Sequence, residues 1–246
     1  MPNRNSPAWL TLKLIAFALL LPFMSDSFAA DTTTIPPIFK HLAEGKKQTV
    51  VVYGTSLTAA GRWTKEVEAW FAKNYPGQVT FFNNGGSGMN SDWGVKNVKK
   101  VLEHQPDLVF IEFSYNDSHV KFKMPVEKGA ANLDAIVKEI KQARPEAALV
   151  LQTMNVPHKD AAISRPDLEA YNSNYRNYAK EHNLVLLDHY PNWLRIKESD
   201  IARYEKLVPD GSHPSPAGSL EVTWPTIEAW LEQCKKAVAP AAPSNP

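Results

Sequence analysis

Asp210-Gly211-Ser212-His213-Pro214 sets a carboxylate three residues before an imidazole, in a turn punctuated by glycine and proline. On an irregular turn this spacing can bring both side chains to one side, so that the carboxylate orients the ring. An oriented imidazole is what activates a weak hydroxyl nucleophile. Pro214 biases His213 away from helical geometry, in keeping with a turn. An Asp and a His three apart also arise by chance, so the pair gains meaning only from a nucleophile and oxyanion donors elsewhere.

Three upstream segments offer them. Gly54-Thr55-Ser56-Leu57-Thr58 follows an apolar run and precedes a helical pattern, which puts the Ser56 hydroxyl near a helix N-terminus, where developing negative charge is favoured. Taken alone, Ser56 reads as a capping or turn serine. Asn83-Asn84-Gly85-Gly86-Ser87-Gly88 has three closely spaced glycines, which let backbone N–H groups approach a ligand. Ser114-Tyr115-Asn116-Asp117 offers a side-chain amide that could face an oxyanion, although Asn-Asp pairs also serve ordinary turns.

These segments need a scaffold. Short apolar runs at Thr49–Tyr53, Val79–Phe82, Leu108–Glu112, Ala148–Gln152 and Leu184–Leu187 read as strands buried on both faces. Helical periodicity fills the intervals at Trp63–Asn74, Gly94–His104, Glu127–Ala143, Leu168–His182 and Pro216–Cys234. Strands alternating with helices predict a parallel sheet covered on both sides, a three-layer α/β/α domain. In such sheets ligands bind beyond the carboxyl ends of the strands. Ser56, the glycine loop and Asn116 all fall there, and the Asp210 turn must fold back to the same edge.

Competing motifs fit less well. The serine segment is not a G-x-S-x-G elbow, because Thr58 stands where the second glycine belongs. The glycine loop lacks the last glycine of a dinucleotide fingerprint and follows the second strand instead of the first. The sequence contains no P-loop motif, and no pair of His or Cys has metal-ligand spacing.

Ser56, the glycine loop, Asn116 and Asp210-x-x-His213 occur in one order, the first three at successive strand ends. In this order they resemble the SGNH hydrolases, the superfamily of GDSL-type esterases and lipases, over roughly Thr49 to Leu231. The resemblance implies a flavodoxin-like sandwich with a parallel five-stranded sheet. It implies Ser56 as nucleophile, with Asp210 and His213 completing a triad. Gly88 and Asn116 would join the Ser56 N–H as oxyanion donors. Thr55 replaces the family's usual Asp, and Ser114-Tyr115 replaces the glycines that commonly precede the Asn. Tyr115 is therefore expected to narrow or line the pocket. His119 and His158, in loops at the ligand edge, are further candidates for substrate contact. His41, His104 and His182 are read as solvated, and Asp188-His189 as a loop brace, not a dyad.

The start of the chain reads as an export signal. Arg4 and Lys13 precede the apolar run Leu14–Phe23, and Ser27-Phe28-Ala29 supplies small residues for cleavage. The expected division is a signal peptide over 1–29, a lead-in over 30–47, the hydrolase domain over 48–236 and a disordered Pro/Ala-rich tail over 237–246. The 27 basic and 26 acidic residues nearly cancel, and loss of Arg4, Lys13 and Asp26 with the signal leaves the remainder formally neutral. That argues against nucleic acid or an anionic surface as partner. Cys234, the only cysteine, allows no intramolecular disulfide and reads as a core residue. The expectation is thus an exported, monomeric, cofactor-free serine esterase without a membrane anchor. Its substrate would be a small acyl ester, foremost acetyl on carbohydrate. The 210–218 stretch resembles that of pectin-type acetylesterases. A lysophospholipase or thioesterase, a polysaccharide O-acetyltransferase and an inactive carbohydrate-binding module are the alternatives.

Overall fold

In chain order, the elements are α1 (Pro37–Ala43), β1 (Gln48–Gly54), α2 (Ser56–Ala59), α3 (Arg62–Asn74), β2 (Val79–Asn83), α4 (Ser91–Leu102), β3 (Leu108–Glu112) and α5 (Ser114–Asp117). A short 3-10 turn, Val120–Phe122, leads to α6 (Val126–Ala143), β4 (Ala148–Gln152), α7 (Asp160–Ile163), α8 (Leu168–Glu181) and β5 (Val185–Leu187). The chain closes with α9 (Tyr190–Ser199), α10 (Ile201–Leu207), α11 (Pro216–Gly218), a π-helical turn (Ser219–Thr223) and α12 (Trp224–Val238). This computed structural model describes residues 35–239. The expected signal peptide and most of the expected tail lie outside them.

The strands form one all-parallel sheet in the order β2-β1-β3-β4-β5. Strand side chains alternate between faces, and the two cores divide accordingly. Val50, Val52, Leu108, Phe110 and Val150 pack with α1, α3 and α12. Val51, Tyr53, Val109, Ile111, Leu149 and Leu151 pack with α4, α6 and α8. The three-layer sandwich is as expected, and β1 and β3 flank the point where the strand order reverses.

Two regions depart from the sequence reading. The lead-in contains α1, whose Ile38, Phe39 and Leu42 are buried in the first core. Each is worth roughly 2 kcal/mol relative to exposure, so this segment is part of the domain. Pro36-Pro37 disguised it as extended chain, yet Pro37 occupies the first helical turn, where its missing N–H costs nothing. After β5, helices α9 and α10 build a third cluster of Val156, Trp193, Tyr204, Leu207, Val208 and Val222. This cluster carries the chain back to the carboxyl edge of the sheet and delivers the Asp210 turn there.

Candidate active site

Ser56 is the first residue of α2, directly beyond β1. Thr55 caps that helix: its Oγ1 accepts from Leu57 N–H at 3.1 Å and donates to Glu112 Oε1 at 2.8 Å. Glu112 Oε1 also accepts from Thr55 N–H at 2.7 Å and Thr58 Oγ1 at 2.8 Å. The buried Glu112 carboxylate thus holds both sides of the serine turn. Burial pushes its pKa up to about 7, against the lowering effect of bonds from Thr58 and Thr55, and Asp117 adds to the rise. Gly54 makes the arrangement possible, because a Cβ there would lie 2.4 Å from Thr58 Oγ1 and 2.5 Å from Glu112 Oε1.

His213 Nε2 lies 2.9 Å from Ser56 Oγ, and His213 Nδ1 lies 2.7 Å from Asp210 Oδ2. An ionised carboxylate only accepts, so Nδ1 carries the proton and the Nε2 lone pair is left for the serine hydroxyl. Asp210 Oδ1 accepts the Ser212 and His213 backbone N–H groups at 2.8 and 2.7 Å. Desolvation works against the charged carboxylate, but the His213 backbone and ring and the Ser212 N–H outweigh it and hold its pKa below the usual range. Gly211, at φ +75°, accepts the His158 N–H at 2.8 Å, and a Cβ on it would lie 2.3 Å from His158 O.

The glycine loop is tied to the serine turn. Asn83 Nδ2 donates to Thr58 O at 3.1 Å, and Gly86 N–H donates to Gly54 O at 2.8 Å. Gly88 sits in the turn closed by Met89 N–H to Gly86 O at 3.1 Å. The Met89 carbonyl in turn accepts from Asn116 Nδ2 at 2.7 Å. One Asn116 N–H is thereby used and one is left. Among the described residues, the backbone N–H groups of Ser56 and Gly88 have no hydrogen-bond acceptor. Three donors, the Ser56 and Gly88 N–H groups and the second Asn116 N–H, are thus left without an acceptor, and donors of this kind can stabilise an alkoxide-like oxygen during acyl transfer.

The remaining candidates divide. Tyr115, expected to line the pocket, is only 1% exposed. Its hydroxyl donates to Ser212 Oγ at 3.1 Å, so it buttresses the Asp210 turn from behind. The His158 ring faces Glu205 Oε1 at 3.1 Å and stands edge-on to Tyr204. The ring thus packs against α10, while the His158 backbone N–H holds the turn through Gly211 O. His119 is half-buried, with Nδ1 accepting from Lys121 N–H at 3.2 Å; burial lowers its pKa, and Arg165 and Lys121 add to the effect. Asp188 does brace a loop, accepting from Thr153 Oγ1 at 2.6 Å and Arg176 Nε at 2.7 Å. His189 is buried against Gln152, and desolvation lowers its pKa to about 4. His104 and His182, read as solvated, each stack on a ring, Phe82 at 3.8 Å and Tyr178 at 4.0 Å. Cys234 is a buried free thiol, as read. Among the described residues no acid, His and Cys cluster could hold a metal, and no helix is long and apolar enough to cross a membrane.

Two residues at the site were missed. Glu112 had a signal, a lone acid closing an otherwise apolar strand. Arg165, whose Nη2 lies 3.2 Å from Asn116 Oδ1, sits in a loop and had none.

Solved structures share this fold. An acetylxylan esterase from Geobacillus stearothermophilus superposes with a TM-score of 0.65 at 19% identity, covering 76% of this chain and 95% of its own. A lipase/acylhydrolase from Enterococcus faecalis gives 0.59 at 21% identity, covering 79% and 99%. No curated protein sequence matches significantly. The GDSL-like lipase/acylhydrolase profile matches residues 49–219, spanning the serine turn, the glycine loop, the Asn116 turn and the Asp-His pair. On that match the chain belongs to the GDSL-like lipase/acylhydrolase family, the SGNH group of enzymes that hydrolyse carboxylic esters.

Proposed function

We propose that this protein is an exported serine esterase that removes short acyl groups, foremost acetyl, from carbohydrate. Ser56 attacks the ester carbonyl as His213 takes its proton, and Asp210 holds the ring tautomer and stabilises the imidazolium. The oxyanion is received by the Ser56 and Gly88 N–H groups and by Asn116 Nδ2, each worth about 3 kcal/mol in the transition state. His213 then protonates the departing alcohol, and water with His213 as base releases the acid and frees Ser56.

The carrying observation is how open the site is. The His213 and Asp210 side chains are 48% and 56% exposed. Two cavities, of about 680 and 400 Å3, lie against α1, away from Ser56. A long acyl chain needs an enclosed apolar trough, whereas an acetyl group on a bulky polymer needs an accessible nucleophile. The acetylxylan esterase with this fold lends support. Its catalytic mutants remove a serine, an aspartate and a histidine, the last two also three positions apart. Export rests on the N-terminal sequence.

A chain-length series of p-nitrophenyl esters, run beside acetylated xylan and pectin, tests the reading. Acetate is expected to be turned over fastest, with acetic acid released from at least one polymer. A preference for octanoate or longer esters would instead indicate a lipid acyl hydrolase. Acetyl transfer to oligosaccharides in preference to water would indicate a transferase. Ser56→Ala is expected to abolish turnover with the fold intact.

A further inference from the structure

Arg165 lies in the loop between α7 and α8 and is 8% exposed. No carboxylate among the described residues lies within ion-pair distance of it. Its polar contacts are instead with the segment that bears Asn116. Nε donates to Tyr115 O at 2.9 Å, Nη2 donates to Asn116 Oδ1 at 3.2 Å, and Nη1 returns to Ala161 O at 3.3 Å. The guanidinium also lies over the Tyr115 ring, 4.2 Å from its centroid.

The two partners of Asn116 settle its amide orientation. A guanidinium can only donate, so it must face Oδ1. The Met89 carbonyl can only accept, so it must face Nδ2. A flipped amide would oppose donor to donor and acceptor to acceptor. The second Nδ2–H is thereby held in one direction. A buried cation on Oδ1 also draws electron density from the amide and makes that N–H a stronger donor. With no carboxylate in ion-pair contact, the Arg165 charge bears most directly on the Tyr115–Asn116 segment, while the Asp210 charge acts on it from farther off.

We propose that Arg165 is a positioning residue for ester hydrolysis, locking and polarising the Asn116 amide so that its free N–H serves the oxyanion. This rests on the assignment of Ser56 as nucleophile and Asn116 as oxyanion donor. Arg165 touches neither the substrate nor the reacting atoms. Its effect passes through Asn116.

The test is a double-mutant cycle in p-nitrophenyl acetate hydrolysis, with Arg165→Met, Asn116→Ala and both together, each melted by circular dichroism. Asn116→Ala is expected to lower kcat on the order of 100-fold. Arg165→Met is expected to lower kcat about 10-fold with KM changed less than about 2-fold, as for an interaction made only in the transition state. The double variant is expected to match Asn116→Ala within about 2-fold, because the two residues act as one unit. Losses that multiply would overturn the proposal, since a merely structural Arg165 would act equally in either background. If Arg165→Met does not fold, Arg165→Lys keeps the charge but not the planar fork, and the same comparison with Asn116→Ala decides. Ser56→Ala separates the two levels. Full turnover in that variant sinks the esterase reading itself, whereas a dead Ser56→Ala with multiplying Arg165 and Asn116 losses sinks only the role of Arg165.

Discussion

Asp210 holds His213 at two places with one carboxylate. Oδ1 takes the backbone N–H at 2.7 Å while Oδ2 lies 2.7 Å from ring Nδ1. The turn and the ring orientation are therefore fixed by the same group, and the three-residue spacing is what allows it.

Asp210→Asn is expected to keep the backbone contact through the amide oxygen and to turn an N–H toward Nδ1. The ring then moves its proton to Nε2, which can no longer accept from Ser56. A fall in kcat of about 10²- to 10⁴-fold is expected, the lower figure applying if water substitutes in this exposed turn. Steady-state p-nitrophenyl acetate hydrolysis and a thermal melt check it. Near-wild-type kcat in a folded variant would mean that Asp210 does not set the tautomer.

Much of this was legible in the sequence for identifiable reasons. Strands buried on both faces must be continuous apolar runs, so Thr49–Tyr53 and Leu108–Glu112 stood out. The helices α3, α4, α6 and α8 each bury one regular stripe. Ser56 and Asn116 stood out at strand ends and the Asp210–His213 pair by its spacing, but none carried weight alone; it was their order along the chain that resembled a known family. Short helices were not legible. Among the residues of α9 only Trp193 is buried, too little for a period, and α1 hides behind two prolines. Tyr115 was misplaced because sequence cannot say which way a bulky side chain turns from a tight helix. Arg165 was invisible because a loop has no repeat against which one residue is conspicuous.

Gly54 leaves no room for a side chain against the buried Glu112. Gly54→Ala would drive a methyl group to about 2.5 Å from both Glu112 Oε1 and the Glu112 carbonyl oxygen. Neither can retreat easily, since Glu112 lies on β3 paired to β1. A loss of about 2–4 kcal/mol is expected, the scale of an overpacked core combined with broken buried hydrogen bonds. Urea denaturation checks it, and an unchanged midpoint would show that the turn can relax.

Trp193 supports the Asp210 turn from a distance. It is fully buried, donates to Thr223 Oγ1 at 3.3 Å and stands edge-on to Tyr204 with ring centroids 5.9 Å apart. Trp193→Ala is expected to cost about 3–5 kcal/mol as a large cavity opens. Because its cluster carries the turn rather than the sheet, activity should fail first on heating. The midpoint of thermal inactivation is expected to lie below the circular-dichroism midpoint, and coincident midpoints would refute a separate role for the cluster.

Glu112 makes stability depend on pH in the direction opposite to a surface carboxylate. Its folded-state pKa is raised to about 7, chiefly by burial, against about 4.3 in an unfolded chain. Between those values the folded protein retains a proton that the unfolded chain has released, so stability falls as pH rises through the window. Above pH 7 the full penalty of an ionised buried carboxylate is in place, on the order of 3 kcal/mol. Glu112→Gln keeps an oxygen able to accept from Thr55 N–H, Thr55 Oγ1 and Thr58 Oγ1, and it cannot ionise. Oε2, which the amide nitrogen replaces, has no hydrogen-bond partner to lose. The variant should therefore gain on the wild type as pH rises, with a Tm difference about 5–10 °C more favourable at pH 9 than at pH 5. Asp117, raised to about 7 by its own burial, titrates in both proteins and largely cancels from that difference. A Tm difference that does not change with pH would show that Glu112 keeps the same protonation state in the folded and unfolded chain.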